Sequence, residues 1–136
     1  MNIVSLIEKR FSYPEAILRW NTSGITIAGV TGSPGNDSTR LQEPWDITVD
    51  WMNTLYIADR KNNRVQKYLR NSTNATTIFG QADGTLGTDL YHLNKPCGVY
   101  VHSNGDVYAS DRENNRVLLL AYNTTTPTIF AGNGMH

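Results

Sequence analysis

Asp59-Arg60-Lys61-Asn62-Asn63-Arg64-Val65 returns 52 residues later as Asp111-Arg112-Glu113-Asn114-Asn115-Arg116-Val117, with one Lys-to-Glu exchange. The copying extends outward at the same spacing. Leu41 and Pro44 reappear as Leu93 and Pro96, Val49 as Val101, and Tyr56 as Tyr108. A fixed period of this length marks a repeat architecture and decides the fold before any single residue does. A shorter element adds a third, partial copy: Ile27, Ile78 and Ile129 lie 51 residues apart, each in a β-branched run that meets glycines.

Within each unit the pattern reads as a four-stranded meander. Leu-x-x-Pro, at Leu41–Pro44 and Leu93–Pro96, leads into a strand with alternating apolar residues, Trp45–Asp50 and Cys97–His102. Proline suits the first residue of such a strand, because it gives up a donor. Period two puts Trp45, Ile47 and Val49 on one face, matched by Cys97, Val99 and Val101. Turns follow at Met52-Asn53-Thr54 and at Ser103-Asn104-Gly105-Asp106, where Asn-Gly favours a type I′ hairpin. The second strands, Leu55–Asp59 and Val107–Asp111, are nearly continuous apolar runs, which predicts cover on both faces. The third strands are Arg64–Leu69 and Arg116–Ala121, and the Ile78 and Ile129 segments are the fourth.

Four short antiparallel strands per unit of about fifty residues is the plan of a β-propeller blade. The fold class expected is therefore all-β, a partial propeller of four-stranded antiparallel blades. Residues 1–19 are a divergent lead-in that does not match the repeat. Residues 20–40 supply the outer strand of a preceding blade, at Gly24–Gly29, and a connecting loop. Residues 41–92 and 93–134 are the two blades.

Leu-x-x-Pro-x-x-hydrophobic-x-Val, followed by Tyr-x-(Ala/Ser)-Asp-x-x-Asn-Asn-Arg-Val, resembles the NHL repeat. The resemblance covers about residues 20–134, with two full repeats and the last strand of another. Asn-Asn-Arg stands where the family usually has Asn-His-Arg. The resemblance implies a propeller, usually of six blades, that serves as a platform for protein or RNA. Its signature residues here are Pro44, Tyr56, Asp59, Asn63 and Arg64, and in the second copy Pro96, Tyr108, Asp111, Asn115 and Arg116. Asp59 ends a buried strand, where its carboxylate can accept backbone N–H groups from the turn through Asn62. Arg64 can pair with that carboxylate or with carbonyls of a neighbouring blade. Identical placement in both copies points to a structural device, since a catalytic acid need occupy only one blade.

Composition narrows the function. Formal net charge is zero, so no global field favours nucleic acid or an anionic membrane. No apolar run reaches transmembrane length, and the start does not read as a signal peptide. Cys97 is the only cysteine, which excludes an internal disulfide. A zinc centre like that of the related amidating lyase would need convergent histidines, and only His92, His102 and His136 exist. No nucleophile motif accompanies them, so neither an enzyme nor a cofactor is expected. Arg60, Lys61, Arg64, Lys67 and Arg70, with Tyr68 among them, form a basic cluster that the second copy does not sustain, so RNA is a minor reading. Sequons at Asn21, Asn36, Asn71, Asn74 and Asn123 lean toward a secreted glycoprotein.

The functional expectation is a non-enzymatic platform that binds a protein partner through the loops at one end, with the substrate-recruiting arm of a ubiquitin ligase as its most specific form. The alternatives are an amidating-lyase-like or hydrolase-like enzyme completed by further blades, and an RNA-binding propeller. Two blades cannot close a ring. A piece of a longer protein is the preferred explanation, and self-association of copies is the other.

Overall fold

The computed structural model describes residues 23–133. Eight strands form two four-stranded antiparallel meanders. The first contains β1 (Pro44–Val49), β2 (Leu55–Asp59), β3 (Arg64–Tyr68) and β4 (Thr76–Gly80). The second contains β5 (Gly98–Val101), β6 (Val107–Asp111), β7 (Arg116–Leu120) and β8 (Thr128–Ala131). Spatial order follows chain order in both sheets, as a blade requires. The chain is thus all-β, with two blades of a propeller. Residues 1–22, which hold the lead-in and Trp20, and residues 134–136 lie outside the described residues.

Register explains how the blades stack. In the first blade Ile47 pairs with Ile57 and Ile57 with Gln66, while Val49 pairs with Leu55 and Leu55 with Tyr68. These residues form one face. The opposite face carries Tyr56, Ala58, Val65 and Phe79, and it packs on Val99, Val107, Ala109 and Leu118 of the second blade. Leu93 is fully buried in the same cluster. Polar links also join the blades: the Val99 N–H donates to Asp46 Oδ2 at 2.9 Å, and the Lys95 N–H to Asn63 Oδ1 at 3.0 Å. Lateral stacking of apolar sheet faces is the main stabilising term, at about 25 cal/mol per Å² of apolar surface removed from water.

Several expectations change in the structure. Gly24–Gly29 forms no strand among the described residues. A strand needs a ladder partner, and none of the eight described strands pairs with this segment. Even so, Gly29 keeps the left-handed φ of +80° that Gly80 and Gly132 share at +78°, so the exit from this segment is the repeated one. Both hairpins carry one left-handed residue, Asn53 or Gly105, where a type I′ turn needs two. Hydrogen bonds from the Asn53 N–H to Asp50 O and from the Gly105 N–H to His102 O close three-residue loops instead. The extra residue allows Asp50 Oδ1 to accept the N–H groups of Met52 and Thr54, so this turn is held by its own side chain.

Cover on both faces holds for β2, which is buried throughout, and fails for β6, where Tyr108 and Ser110 are half-exposed. The alternating faces of the inner strands are equally unequal. Ile47 is 37% exposed, whereas its copy Val99 is 6% exposed beneath the first blade. Trp45 sits at a bulge and Cys97 just precedes β5, so neither joins the regular ladder.

Gly80 ends β4 where the chain must turn left-handed against a neighbour, as Gly132 does after β8. A Cβ there would fall on the Asn63 carbonyl oxygen. Replacing Gly80 by Ala is expected to lower the stability by about 1–3 kcal/mol, through strain at positive φ and this clash. Gly24, where a Cβ would meet nothing within 4 Å, is the control. Urea denaturation of both variants checks this, with a shifted midpoint only for Gly80→Ala.

Candidate interaction surface

The repeated heptapeptide builds a buried polar cluster at one end of each blade. After β2, Asp59 leads into a single 3₁₀ turn over Arg60–Asn62, and Asn63 closes it in the left-handed region at φ 50°. Asn tolerates that conformation better than most side chains do. The turn brings Asn62 and Arg64 onto Asp59. Asp59 Oδ2 accepts from Asn62 Nδ2 at 2.8 Å and from Arg64 Nε at 2.9 Å, while Oδ1 accepts the Gln42 N–H at 2.8 Å. The rest of the guanidinium reaches into loops: Nη1 donates to Asn36 O and Ala82 O, and Nη2 to Asp37 O and Arg40 O, at 2.5–3.1 Å. Arg64 therefore ties the loop entering its blade to the loop leaving it.

The second blade repeats this at the same spacing. Asp111 accepts from Asn114, Arg116 and the Asn94 N–H, and Arg116 donates to Thr88 O, Asp89 O and His92 O. Burial pushes the Asp59 carboxyl upward, against the pull of the Gln42 N–H, Asn62 and Arg64. Both ion pairs are almost wholly buried, at 1% and 0% exposure for Arg64 and Asp59 and 4% and 0% for Arg116 and Asp111. Neither can reach a ligand. The other signature residues also lie within the fold: Tyr56 and Pro96 are buried and Pro44 opens β1. Tyr108 is half-exposed, and Asn115 closes the second 3₁₀ turn at φ 50°. Asn63 joins the blades, because its Oδ1 accepts the Lys95 N–H at 3.0 Å while its Nδ2 donates to Gly84 O.

The loops hold a further repeat that the sequence reading passed over. Gly35 and Gly87 each accept from the cluster's asparagine, and Asp37 and Asp89 each cap their own loop. Both pairs lie 52 residues apart, so extending the comparison upstream of Leu41 and Leu93 would have found them.

Residues considered for chemistry do not converge. His92 Nδ1 pairs with Asp89 Oδ1 at 2.8 Å, and His102 Nδ1 with Asn104 Oδ1 at 2.8 Å; His136 lies outside the described residues. Among the described residues no group of three His, Cys, Asp or Glu is arranged to hold a metal ion. Cys97 Sγ lies 3.4 Å from Ser110 Oγ. The basic cluster is dispersed. Arg64 is buried, Arg60 and Lys61 pair with Glu43 at 3.1 and 2.5 Å, and Arg60 also sits 5.0 Å over the Trp45 ring. Lys67 points into the joint between blades, 5.9 Å from the Tyr56 ring.

The opposite end is built from the hairpin turns and differs in character. Trp51 is 80% exposed, Tyr122 63%, Leu69 61% and Met52 54%. Between the two blades these turns flank a cleft of about 520 Å³, lined by Trp51, Tyr56, Lys67, His102, Leu120 and Tyr122 among others. The Tyr56 phenol, pushed up to about 12 by burial and then by Asp50, stays a hydrogen-bond donor and holds Asp50 Oδ2 at 3.2 Å. Aromatic side chains on turns held by backbone hydrogen bonds are presented with little entropy left to lose on binding.

Two predictions follow from the loop-holding end. Arg64→Ala leaves Asp59 buried without its cation, and the expected loss is about 3–5 kcal/mol in chemical denaturation. Arg64→Lys recovers little of this, since an ammonium cannot span four carbonyls as the planar fork does. The exposed Asp37 carboxyl is lowered to about 2, first by the Thr39 hydroxyl, then by the Thr39 N–H and Arg40. A depressed folded pKa contributes stability that is complete above the unfolded value of about 4 and lost as pH falls toward 2. The Thr39 and Arg40 amide resonances should titrate with a midpoint near 2; an ordinary aspartate midpoint would contradict the assignment.

Two comparisons with known proteins agree with this geometry. The NHL repeat profile matches residues 41–68, through the end of β3, and residues 93–118, which reach into β7. NHL repeat-containing protein 2 of Bos taurus is 30% identical over 99 residues, covering 68% of this chain and 14% of that protein. The chain thus spans only a small part of the relative's length. Two blades, each locked by the same Asp-x-x-Asn-Asn-Arg cluster and each matched by the repeat, place this chain in the NHL-repeat family.

Proposed function

We propose that this chain is a non-enzymatic protein-interaction module that engages its partner with the hairpin-turn end of its blades. The observation that carries this reading is the contrast between the two ends. At one, Asp59, Arg64, Asp111 and Arg116 are spent on holding loops. At the other, Trp51, Met52, Leu69 and Tyr122 stand exposed on turns that need no partner to keep their shape. Interfaces draw most of their affinity from a few such aromatic anchors. Residues 41–92 and 93–134 act as the two blade units, and the signature residues Pro44, Tyr56, Asn63, Pro96, Tyr108 and Asn115 serve the frame. Recruitment of a substrate to a ubiquitin ligase is the specific form this role takes in tripartite-motif relatives.

Binding of RNA finds little support, because Arg64 is buried and Arg60 and Lys61 pair with Glu43, and affinity for nucleic acid needs a continuous basic surface.

The test is site-specific crosslinking from both ends, with a photoreactive group at position 51 or at Leu86, an exposed residue of the loop end. A partner should be captured from position 51 and not from position 86. Trp51→Ala should weaken that partner by about tenfold or more, as loss of a hot-spot aromatic does, with the urea midpoint unchanged. Capture from position 86 alone would overturn the proposal.

A further inference from the structure

We propose that Asn71 and Asn123 are N-glycosylated, with one sugar chain on the β3–β4 turn of the first blade and one on the β7–β8 turn of the second. Of the five Asn-x-Ser/Thr sequons in the chain, these two alone are copies of each other, 52 residues apart. Asn71-Ser72-Thr73 and Asn123-Thr124-Thr125 sit among neighbours that the repeats do not share: Leu69-Arg70 answers to Ala121-Tyr122, and Asn74-Ala75 to Thr126-Pro127. Each turn is closed in the same way, by the Ser72 N–H to Leu69 O at 2.9 Å and by the Thr124 N–H to Ala121 O at 3.0 Å. Each asparagine is left-handed, at φ 62° and 60°. The turn thus accounts for a residue that tolerates positive φ, which glycine does with least strain. It does not account for the threonine two residues further on.

The groups that glycosyl transfer uses are free at both turns. Asn71, Thr73, Asn123 and Thr125 are exposed. Among the described residues, neither side-chain amide and neither of these threonine hydroxyls makes a hydrogen bond. The sequons at Asn36 and Asn74 differ. Asn36 Nδ2 donates to Asp83 O at 3.0 Å, and Ser38, the hydroxyl of that sequon, donates to Asn74 Oδ1 at 3.4 Å. In the transfer, Nδ2 attacks the anomeric carbon of a lipid-linked oligosaccharide and forms the C–N bond. The lipid diphosphate leaves with the electron pair of the broken C–O bond, and one amide proton passes to a base of the enzyme. The hydroxyl two residues on belongs to the recognised acceptor, which lies on surface loops of chains that pass through the secretory lumen. The sugars would stand at the rim of the turn end. Asn123 and Thr124 line the cleft between the blades beside Tyr122, and Asn71 follows Leu69 by two residues. Leu69 and Tyr122 would gain a hydrophilic cover, while Trp51 and Met52 sit on a different turn, between β1 and β2. Crosslinking from position 51 reads the partner surface separately, so the two proposals can fail independently.

Mass spectrometry of the full-length protein purified from cells that make it naturally, before and after peptide-N-glycosidase, tests this. The enzyme leaves aspartate where a glycan was attached. Asn71 and Asn123 should therefore read as aspartate only after treatment, with Asn36 and Asn74 unchanged. Expression of the full-length protein in cultured animal cells gives a second readout. Thr73→Ala and Thr125→Ala should each remove one glycan from the gel mobility, and the double variant should remove both. The circular dichroism spectrum should not change, because Asn71 and Asn123 still supply the left-handed turn residues. Asparagine at both positions after treatment overturns the proposal. So does a glycan on only one of the two turns, and so does one at Asn36 or Asn74 in their place.

Discussion

A buried guanidinium with four backbone carbonyls to satisfy is the constraint on which this fold depends. Arg64 cannot be left in the interior unpaired, and its position is set by the ladder that joins Arg64 to Asp59. Asp59 neutralises the charge, but one carboxylate does not saturate five N–H donors. The loops provide the rest, and in doing so they lose their freedom. A blade of this type is thus closed at one end by electrostatics and stacked on its neighbour by apolar contact. The first sets where the chain enters and leaves, and the second supplies most of the stabilisation.

That division of labour separates frame from surface. The loop end consumes its own polar groups: the carbonyls of Asn36, Asp37, Arg40, Thr88, Asp89 and His92 all point inward to arginines. At the turn end, short loops satisfy their backbone locally through Asp50 and Asn104, leaving large side chains free to face solvent. The same physics explains why charge counting along the chain misleads. Five basic residues within eleven positions read as a patch, yet a strand and a 3₁₀ turn send them in different directions, and the one at the centre is the most buried.

The signature was legible because it is the part of the fold with the least choice. Asp, Asn, left-handed Asn and Arg must occur in that order for the cluster to close, so they recur unchanged in both copies. Gly35/Gly87 and Asp37/Asp89 obey the same requirement but are separated by variable loop residues, which hid them. The turn type was misjudged for a related reason. Asn104-Gly105 favours two left-handed residues in isolation, whereas the register of β5 and β6 requires a three-residue connection, and ladder hydrogen bonds outweigh a local preference.

By itself the sequence determined the repeat, its strands and the residues that lock each blade, because period and side-chain chemistry are local properties of the chain. Only the tertiary structure decided which faces are covered. Ile47 and Val99 occupy the same place in their repeats and have the same apolar character, yet one is open and the other is sealed. Burial depends on what lies across the joint, and no residue carries that information in its own unit.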